Sequence, residues 1–539
     1  MPAKHPALPR VDAYLRHYAM TQPSTAAWID EQRTLTFAQA SGWVDDLARA
    51  LIANGIQMGE RVAVYGKPGI EFIALFLAIT SVGAIYLGLN PKYTAIELAT
   101  LIEDAEPSLL FNLLDDSSIE RDKLTLASRR LDPSPRILGL SELVVFSSNG
   151  PQTSAQDLEC VRQAVDPASV ALLVYTSGST GKPKGAQLTH RGLTFIAPIS
   201  NDPLHFGVQG QGRTLCNLPI NHVGCVVDLC TNSIIMGTTL VFQPDFDPDR
   251  MLEAIEVQGL TMVGGVPVMF LLMSRSPRFV STDYSSLQRI VLAGNASPLP
   301  LVREVRRVMR ATVINGYGLT EAMGFSTFTD LDADDETIAN TVGRFDPRID
   351  WRLADDHGSA VEQGQIGEIQ MRGDWLFKGY FRRVQATAEA FTADGWFRTG
   401  DLATLLPTGN VRLTGRSKEM FKSGGFNVYP IEIETAIEAC KGVAMAVVVA
   451  VPDKTYCEVG YAYVVLKDGG APLNVLALRG ELLSRLANYK VPKHFEAIAE
   501  LPLLPIGKVD RLTLKQIATA AVEATPGVKP HHGGLTTQL

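Results

Sequence analysis

Apolar and polar positions fall into short blocks whose period changes along the chain. Positions 38–54 carry apolar residues at helical spacing and end at Gly55, which predicts an amphipathic helix. Positions 61–65 predict a short strand. Phe72 to Leu89 runs 18 residues without a charge, close to the length needed to cross a bilayer. Its polar and glycine breaks favour another reading: a buried helix over 70–81, a stop at Gly83, and a buried strand over 84–87. Pro91-Lys92-Tyr93-Thr94 then opens a further helix with Thr94 as its N-cap. The alternation continues through strand 239–242, helix 248–258, and strands 262–263, 289–292 and 312–314. Such a rhythm predicts an α/β chain with substantial parallel sheet.

After about residue 340 the pattern changes. Positions 366–371 predict a strand and 406–411 a hairpin. A compact α+β unit follows Gly415, with helix 431–440, strands 446–451 and 461–466, and helix 475–486. The Gly-, Pro- and Thr-rich end, 525–539, predicts a disordered tail. The expected organisation is therefore an N-terminal domain over 1–415, a C-terminal domain over 416–524, and the tail. The fold class is α/β: a large N-terminal domain of parallel-rich sheets with helices plus a β-rich subdomain, and a small mobile α+β C-terminal domain.

Length and composition fit this division. The chain has 539 residues, 46% hydrophobic and 20% charged, with a formal net charge of −8. That balance describes a soluble multidomain protein and gives no footing for a nucleic-acid partner. Six cysteines without a C-x-x-C pair or a histidine cluster argue against a zinc site and for a reducing compartment. The N-terminus lacks the apolar core of a secretory signal, so a cytoplasmic location is expected.

The stretch TSGSTGKPKG, 176–185, carries the first chemistry. Its glycines let backbone N–H groups approach an anion, its hydroxyls donate hydrogen bonds, and Lys182 and Lys184 add positive charge. A solvated turn is the alternative at this point. Pro183 after Gly181-Lys182 excludes a P-loop, which needs Ser or Thr there and a helix beginning at the lysine. An anion would instead be held by a loop between strands.

YTSGSTGKPKGAQLTH, 175–190, resembles the phosphate-loop signature of adenylate-forming enzymes, the superfamily of acyl-CoA synthetases, firefly luciferase and nonribosomal-peptide adenylation domains. Further stretches match in the same order: GAIYLGLNPKYTAIEL (83–98), LPINHVG (218–224), NGYGLTEA (315–322), GWFRTGDLA (395–403), GRSKEMFKSGGFNVYPIEIE (415–434) and LPIGKVDR (504–511). The resemblance implies that a carboxylate attacks the α-phosphate of ATP, pyrophosphate leaves, and a thiol displaces AMP from the acyl-adenylate. The cofactors implied are ATP, Mg²⁺ and coenzyme A. The partners implied are these small molecules and the acid, with no nucleic acid, no transmembrane span, and a homodimer left open.

The same resemblance assigns roles. Thr176, Ser177, Gly178, Ser179, Thr180, Gly181 and Lys184 would wrap the β- and γ-phosphates. Tyr317, within Asn315-Gly316-Tyr317-Gly318, would stack on adenine, with Asn295 and Ala296 nearby. Thr320 would bind the α-phosphate, and Glu321 with Thr176 would hold the metal. Asp401 would accept the ribose hydroxyls and Arg416 would reach ribose or phosphate; read alone, Thr399-Gly400-Asp401 is a turn. Lys508 would be the catalytic lysine of adenylation. The C-terminal domain would rotate about Lys418 for the second step, where Gly424 and Gly425 make room for a pantetheine arm.

His222 matches a position near the carboxylate, at the thiol tunnel. Val223, Gly224, Cys225, Val227 and Asp228 follow it on an expected helix. With Gly264, Gly265, Val266, Ala322, Met323, Gly324 and Phe325 they would line the acyl site. Their small, apolar character suits an alkyl, alicyclic or aromatic acid. Asp228 is the exception: it would either recognise a hydroxyl or amine or turn into a salt bridge, the second being favoured. The function expected is an AMP-forming acyl-CoA synthetase for a medium- or long-chain fatty, alicyclic or aryl acid. The alternatives are an enzyme that loads a carrier protein, luciferase-like oxygenation, and a non-catalytic binding protein that retains the fold.

Overall fold

A computed structural model of the chain describes residues 6–114, 118–148, 150, 153–176, 183–294, 297–424, 426–467, 472–504 and 508–524. The tail expected over 525–539 lies outside them. The chain forms two compact units, Met1–Leu413 and Thr414–Leu539.

The first unit holds two large sheets. One has six strands in the order Arg136–Leu138, Leu109–Asn112, Arg61–Tyr65, Ile85–Leu89, Val170–Thr176, Lys184–Thr189. All its pairs are parallel except the last, which is an antiparallel hairpin. The other has seven strands in the order Thr312–Gly316, Arg289–Ala293, Met262–Gly265, Arg213–Cys216, Thr239–Phe242, Ala26–Ile29, Thr34–Thr36, again parallel up to its final pair. One apolar core joins residues of both sheets through the helices Val11–Thr21, Phe37–Ala53, Ile70–Ser81 and His190–Ser200. Further cores cover the opposite faces of each sheet. Parallel sheets need this double cover, which explains why their strands read as unbroken apolar runs.

Helix Ile70–Ser81 is buried along its whole length and leads into strand Ile85–Leu89, so the uncharged run belongs to the core. Among the described residues no helix is long and apolar enough to cross a membrane. Helices start where the sequence can satisfy their first N–H groups. Thr36 Oγ1 accepts from the Gln39 backbone N–H while the Gln39 side chain accepts from the Thr36 N–H, and Thr94 and Glu97 do the same. A four-stranded antiparallel sheet follows, built from Asp350–Ala354, Ile366–Arg372, Phe397–Leu405 and Val411–Arg416. Thr399-Gly400-Asp401 corrects the sequence reading. It is no turn but part of strand Phe397–Leu405, with Gly400 at φ +74° in a bulge opposite Glu368 and Gln370.

The second unit packs helix Pro430–Glu438 and helix Arg511–Ala524 against strands Val443–Asp453 and Cys457–Leu466. Two buried glutamates fasten the first helix. Glu434 accepts from the Val448 backbone at 2.7 Å and takes a bidentate pair of bonds from Arg511 at 2.6 and 2.8 Å. Glu438 accepts from the Ala446 backbone at 3.0 Å. Burial, helped by the charge of Glu434, pushes the Glu438 carboxyl up to about 8, against the Ala446 N–H and Arg511. The unfolded chain releases this proton near 4.5, while the native protein holds it to about 8. Stability attributable to Glu438 therefore falls as pH rises between those values. Glu438→Gln is expected to melt several degrees above the wild type at pH 7.5. The difference should shrink towards zero near pH 5, as read by thermal denaturation at both pH values.

Candidate active site

Strand Val170–Thr176 and strand Lys184–Thr189 pair down to a final Thr176–Lys184 rung. The sequence between them, with Ser177, Gly178, Ser179, Thr180, Gly181 and Lys182, lies outside the described residues. The flanking strands pair antiparallel, and Pro183, just before the second strand, is not helical. Thr176 Oγ1 donates to the Lys184 carbonyl at 3.5 Å. The segment 378–381 runs along the outer edge of this hairpin: Lys378 N donates to Gln187 O and Phe381 N to Gly185 O, both at 2.8 Å. It places Tyr380 under Lys184, with Nζ 5.3 Å from the ring centroid. The Tyr380 hydroxyl donates to Glu321 Oε1 at 2.8 Å. Burial, then the charge of Glu321 and this bond, raise the phenol well above its ordinary value and keep it protonated as a donor. Sequence reasoning missed Tyr380, which falls between two recognised motifs.

Thr312–Gly316 and Arg289–Ala293 are neighbours in parallel register, with Ala293 opposite Gly316. The two chains therefore leave the sheet side by side, one towards Tyr317 and the other towards Asn295 and Ala296, which lie outside the described residues. Tyr317 is pinned by its backbone. Its N–H donates to Thr327 Oγ1 at 2.9 Å and its carbonyl accepts from Ser326 at 2.8 Å. Its hydroxyl donates to Asp401 Oδ2 at 2.7 Å. Asp401 comes from the bulged strand, where the Gly400 N–H donates to Glu368 and Thr399 Oγ1 accepts from the Asp401 N–H. Asn315 uses both amide hydrogens on the carbonyls of Ile338 and Thr341, at 3.0 and 2.9 Å. Its side chain thus positions the strand end that carries Tyr317.

The chain doubles back after Tyr317. Gly318–Leu319 pairs antiparallel with Gly324–Phe325 around the single turn Thr320–Ala322. A Cβ on Gly318 would overlap the Gly324 carbonyl, so the glycine permits this close approach. Thr320 and Glu321 are both buried, and Phe377 N donates to Glu321 O at 2.9 Å.

The segment after His222 is helical, as expected, but Gly224–Thr231 is a π-helix. Thr231 Oγ1 donates five residues back, to the Val226 carbonyl, at 2.8 Å. Such wide turns recur at functional sites. His222 Nδ1 accepts from the Gly224 N–H at 3.0 Å, which assigns the proton of the neutral ring to Nε2. The motifs around 90 and 221 meet: Asn90 Nδ2 donates to Asn221 Oδ1 at 3.3 Å, and Asn221 Nδ2 to the Tyr93 hydroxyl at 2.9 Å. Among the described residues Asp228 makes no salt bridge, against the reading favoured from the sequence. It lies against strand Gly324–Phe325, and its Oδ1 is buried without a hydrogen bond. The spacing of the cysteines also hid a cluster. Cys216, on a strand, lies 3.6 Å from Cys225 and 3.5 Å from Cys230, sulfur to sulfur, in the core beside this helix.

The remaining candidates belong to the second unit. Lys508 is half-buried; its carbonyl accepts from Leu504 N at 2.7 Å, and Leu503 and Val509 are bridged. Arg511, three residues on, carries the bidentate pair to Glu434 and so anchors the chain just past Lys508. Arg416 opens a turn whose carbonyl accepts from Glu419 and Met420. Around Gly424, Phe421–Ser423 pairs antiparallel with Phe426–Val428, with Gly424 at φ +58°. Gly425 lies outside the described residues.

Comparison with known proteins follows this layout. The family model described as AMP-binding enzyme matches residues 15–381, and that of the AMP-binding enzyme C-terminal domain matches 432–508. An indoleacetate–CoA ligase of Aromatoleum aromaticum is 33% identical over 507 residues, 94% of this chain and 97% of that protein. A feruloyl-CoA synthase of an Amycolatopsis species is 34% identical over 477 residues, 88% of this chain and 92% of that protein. The ATP-bound crystal structure of MatB from Rhodopseudomonas palustris superimposes with a TM-score of 0.82 at 27% identity, covering 95% of this chain and 99% of that one.

Gly324 tests how tightly these parts fit. Its φ is +112°, and a Cβ there would overlap the Asp228 carboxylate. Gly324→Ala is expected to lose about 1–3 kcal/mol of stability in chemical denaturation. Part of that loss should be recovered in the double variant with Asp228→Ala, which removes the clashing oxygen but leaves the backbone strain.

Proposed function

The chain belongs to the AMP-binding enzymes, and from that premise we propose how its residues carry out ATP-dependent ligation of a carboxylic acid to a thiol. It is an AMP-forming carboxylate–CoA ligase, as its named relatives are. The acid's carboxylate attacks the α-phosphate of ATP, pyrophosphate departs, and the thiolate of CoA then attacks the acyl carbon and expels AMP. The observation that carries the site assignment is the 2.7 Å bond from Tyr317 to Asp401. It brings the aromatic ring and the carboxylate of two distant motifs together, as an adenosine site requires.

In this reading Tyr317 stacks on adenine, and its hydroxyl leaves Asp401 able to accept both ribose hydroxyls. The hairpin tip after Thr176, with Lys184 at its base, holds the β- and γ-phosphates. Thr320 donates to the α-phosphate. Glu321, with the hydroxyl of Thr176, would hold Mg²⁺. One carboxylate and one hydroxyl suit an ion that keeps most of its water and takes phosphate oxygens, and the Tyr380 hydroxyl orients that carboxylate. Bound there, the ion would neutralise the phosphate charge. His222, with its proton on Nε2, lines the path of the carboxylate and thiol. Lys508 neutralises the charge that builds between carboxylate and α-phosphate, and Arg416 contacts ribose or phosphate. Asn295, Ala296, Gly424 and Gly425 keep the roles implied by the resemblance.

The acid is cyclic, aryl or alicyclic, ahead of a long-chain fatty acid. The indoleacetate and feruloyl substrates in the names of the two relatives support this ranking, as does that of a Mycobacterium tuberculosis relative, 31% identical over 525 residues, named as a ligase of a 7a-methyl-dioxo-octahydroindenyl propanoic acid, and so do the small and apolar residues Val223, Gly224, Gly265 and Val266. Composition and cysteine content support a cytoplasmic setting.

Acid-dependent ATP–pyrophosphate exchange, followed by mass spectrometry of CoA products from a panel of fatty, alicyclic and aryl acids, tests the reading. Exchange with none of them would overturn it. Lys508→Ala is expected to lower exchange by about 10²–10³-fold and largely to spare thioester formation from a supplied acyl-adenylate. Exchange at the wild-type rate in that variant would remove Lys508 from the first step.

A further inference from the structure

The π-helix Gly224–Thr231 brings one acidic side chain into an otherwise apolar wall. Val227 and Leu229 on either side of Asp228 are buried, as are Ala322 and Met323 near the strand it faces. Asp228 itself, with Gly224, Gly265, Val266 and Phe325, keeps partial exposure, so this side of the wall borders open space. Yet Asp228 Oδ1 is buried and has no hydrogen-bond partner, and among the described residues no cation lies within ion-pair distance of the carboxylate. Leaving a buried acceptor unmade costs about 1–3 kcal/mol. The surroundings are nevertheless cut to admit it, because a side chain on Gly324 would occupy the position of Oδ1. Burial pushes the carboxyl up to about 8, with the backbone amide of Phe325 opposing. A group this poorly satisfied in the empty protein is explained if its partner arrives with the substrate.

We propose that Asp228 is a specificity residue that receives an O–H or N–H donor carried on the acyl body of the acid. The acid is then a hydroxyl-, amino- or ring N–H-bearing carboxylic acid rather than a plain hydrocarbon one. This rests on the ligase reading above and narrows its substrate class. Three donors share the chemistry: a neutral hydroxyl, a neutral ring N–H and an ammonium. A hydrocarbon acid would leave Oδ1 unpaired and desolvated, which disfavours it more strongly than a missing methylene would.

The test compares pairs of ring acids that differ by one group: hydroxyl against methyl, amine against methyl, ring N–H against ring CH₂. kcat/KM in ATP–pyrophosphate exchange is measured for wild type, Asp228→Asn and Asp228→Leu, with melting temperature as the folding control. The wild type is expected to favour a donor-bearing member by about tenfold or more. Asp228→Leu should erase or reverse that ratio and keep exchange with the apolar member. Asp228→Asn, which retains an acceptor without the charge, should keep the hydroxyl or ring N–H preference and lose a preference for ammonium, which separates the three donors. If Asp228→Leu does not fold, Asp228→Ala, which also removes the acceptor, decides: a donor preference unchanged in size overturns the proposal. Equal kcat/KM within every pair for the wild type also overturns it, while the ligase reading stands. No exchange with any acid overturns the ligase reading, and the proposal with it.

Discussion

The bond from the Tyr317 hydroxyl to Asp401 joins two sheets that share no strand in the first unit. Tyr317 leaves the edge of the seven-stranded parallel sheet, and Asp401 stands on the antiparallel sheet that follows it in sequence. Their meeting constrains everything nearby. The chain must fold back at Thr320–Ala322 within a few residues of Tyr317, and it does so by pressing Gly318 against Gly324. The strand bearing Asp401 must bulge at Gly400 so that its carboxylate comes forward, and Glu368 accepts the displaced N–H. The arrangement is held from both sides, by the backbone bonds at Tyr317 and by the bulge at Gly400, so the fold itself sets its geometry.

Much of this was legible from the chain alone. The parallel strands announced themselves as short apolar runs. The glycine-rich motifs named the positions where backbones approach closely. What stayed hidden depends on contacts between distant segments. Tyr380 lies outside the recognised motifs, and its importance follows from an edge pairing between 378–381 and the hairpin strand Lys184–Thr189. The π-helix at Gly224–Thr231 uses the same residue types as an α-helix, so periodicity cannot separate the two. Cys216, Cys225 and Cys230 are 9 and 14 residues apart in sequence and meet only because a strand and a helix pack together. The Thr399–Asp401 bulge looks like a turn because both use a glycine at positive φ.

The second unit meets a different demand. The chain around Lys508 is anchored on both sides, by the bond from Leu504 N to its carbonyl and by the residues just beyond it. Arg511 pairs with Glu434, which also takes the Val448 N–H, so the chain there is tied to a helix and a strand at once. Arg511 carries two parallel bonds to one carboxylate, a geometry that lysine cannot reproduce. Removing either partner would leave the other charged and unpaired in the interior. The anchor and Lys508 are three residues apart, which accounts for both falling within the single motif 504–511.

Two carboxylates near the turn Thr320–Ala322 show how burial divides roles. Glu321 is buried with a strong donor, the Tyr380 hydroxyl, and so retains an oriented carboxylate. Asp228, across the strand Gly324–Phe325, has an oxygen with no such donor and a carboxyl pushed up to about 8. Were Asp228 only a remnant in an apolar wall, a leucine of similar size would pack there without the penalty of an unmade bond. The space left by Gly324 would then have no purpose, because it accommodates the carboxylate oxygen itself. The two residues make most sense together: Gly324 leaves room for the acceptor Oδ1, which no donor among the described residues satisfies.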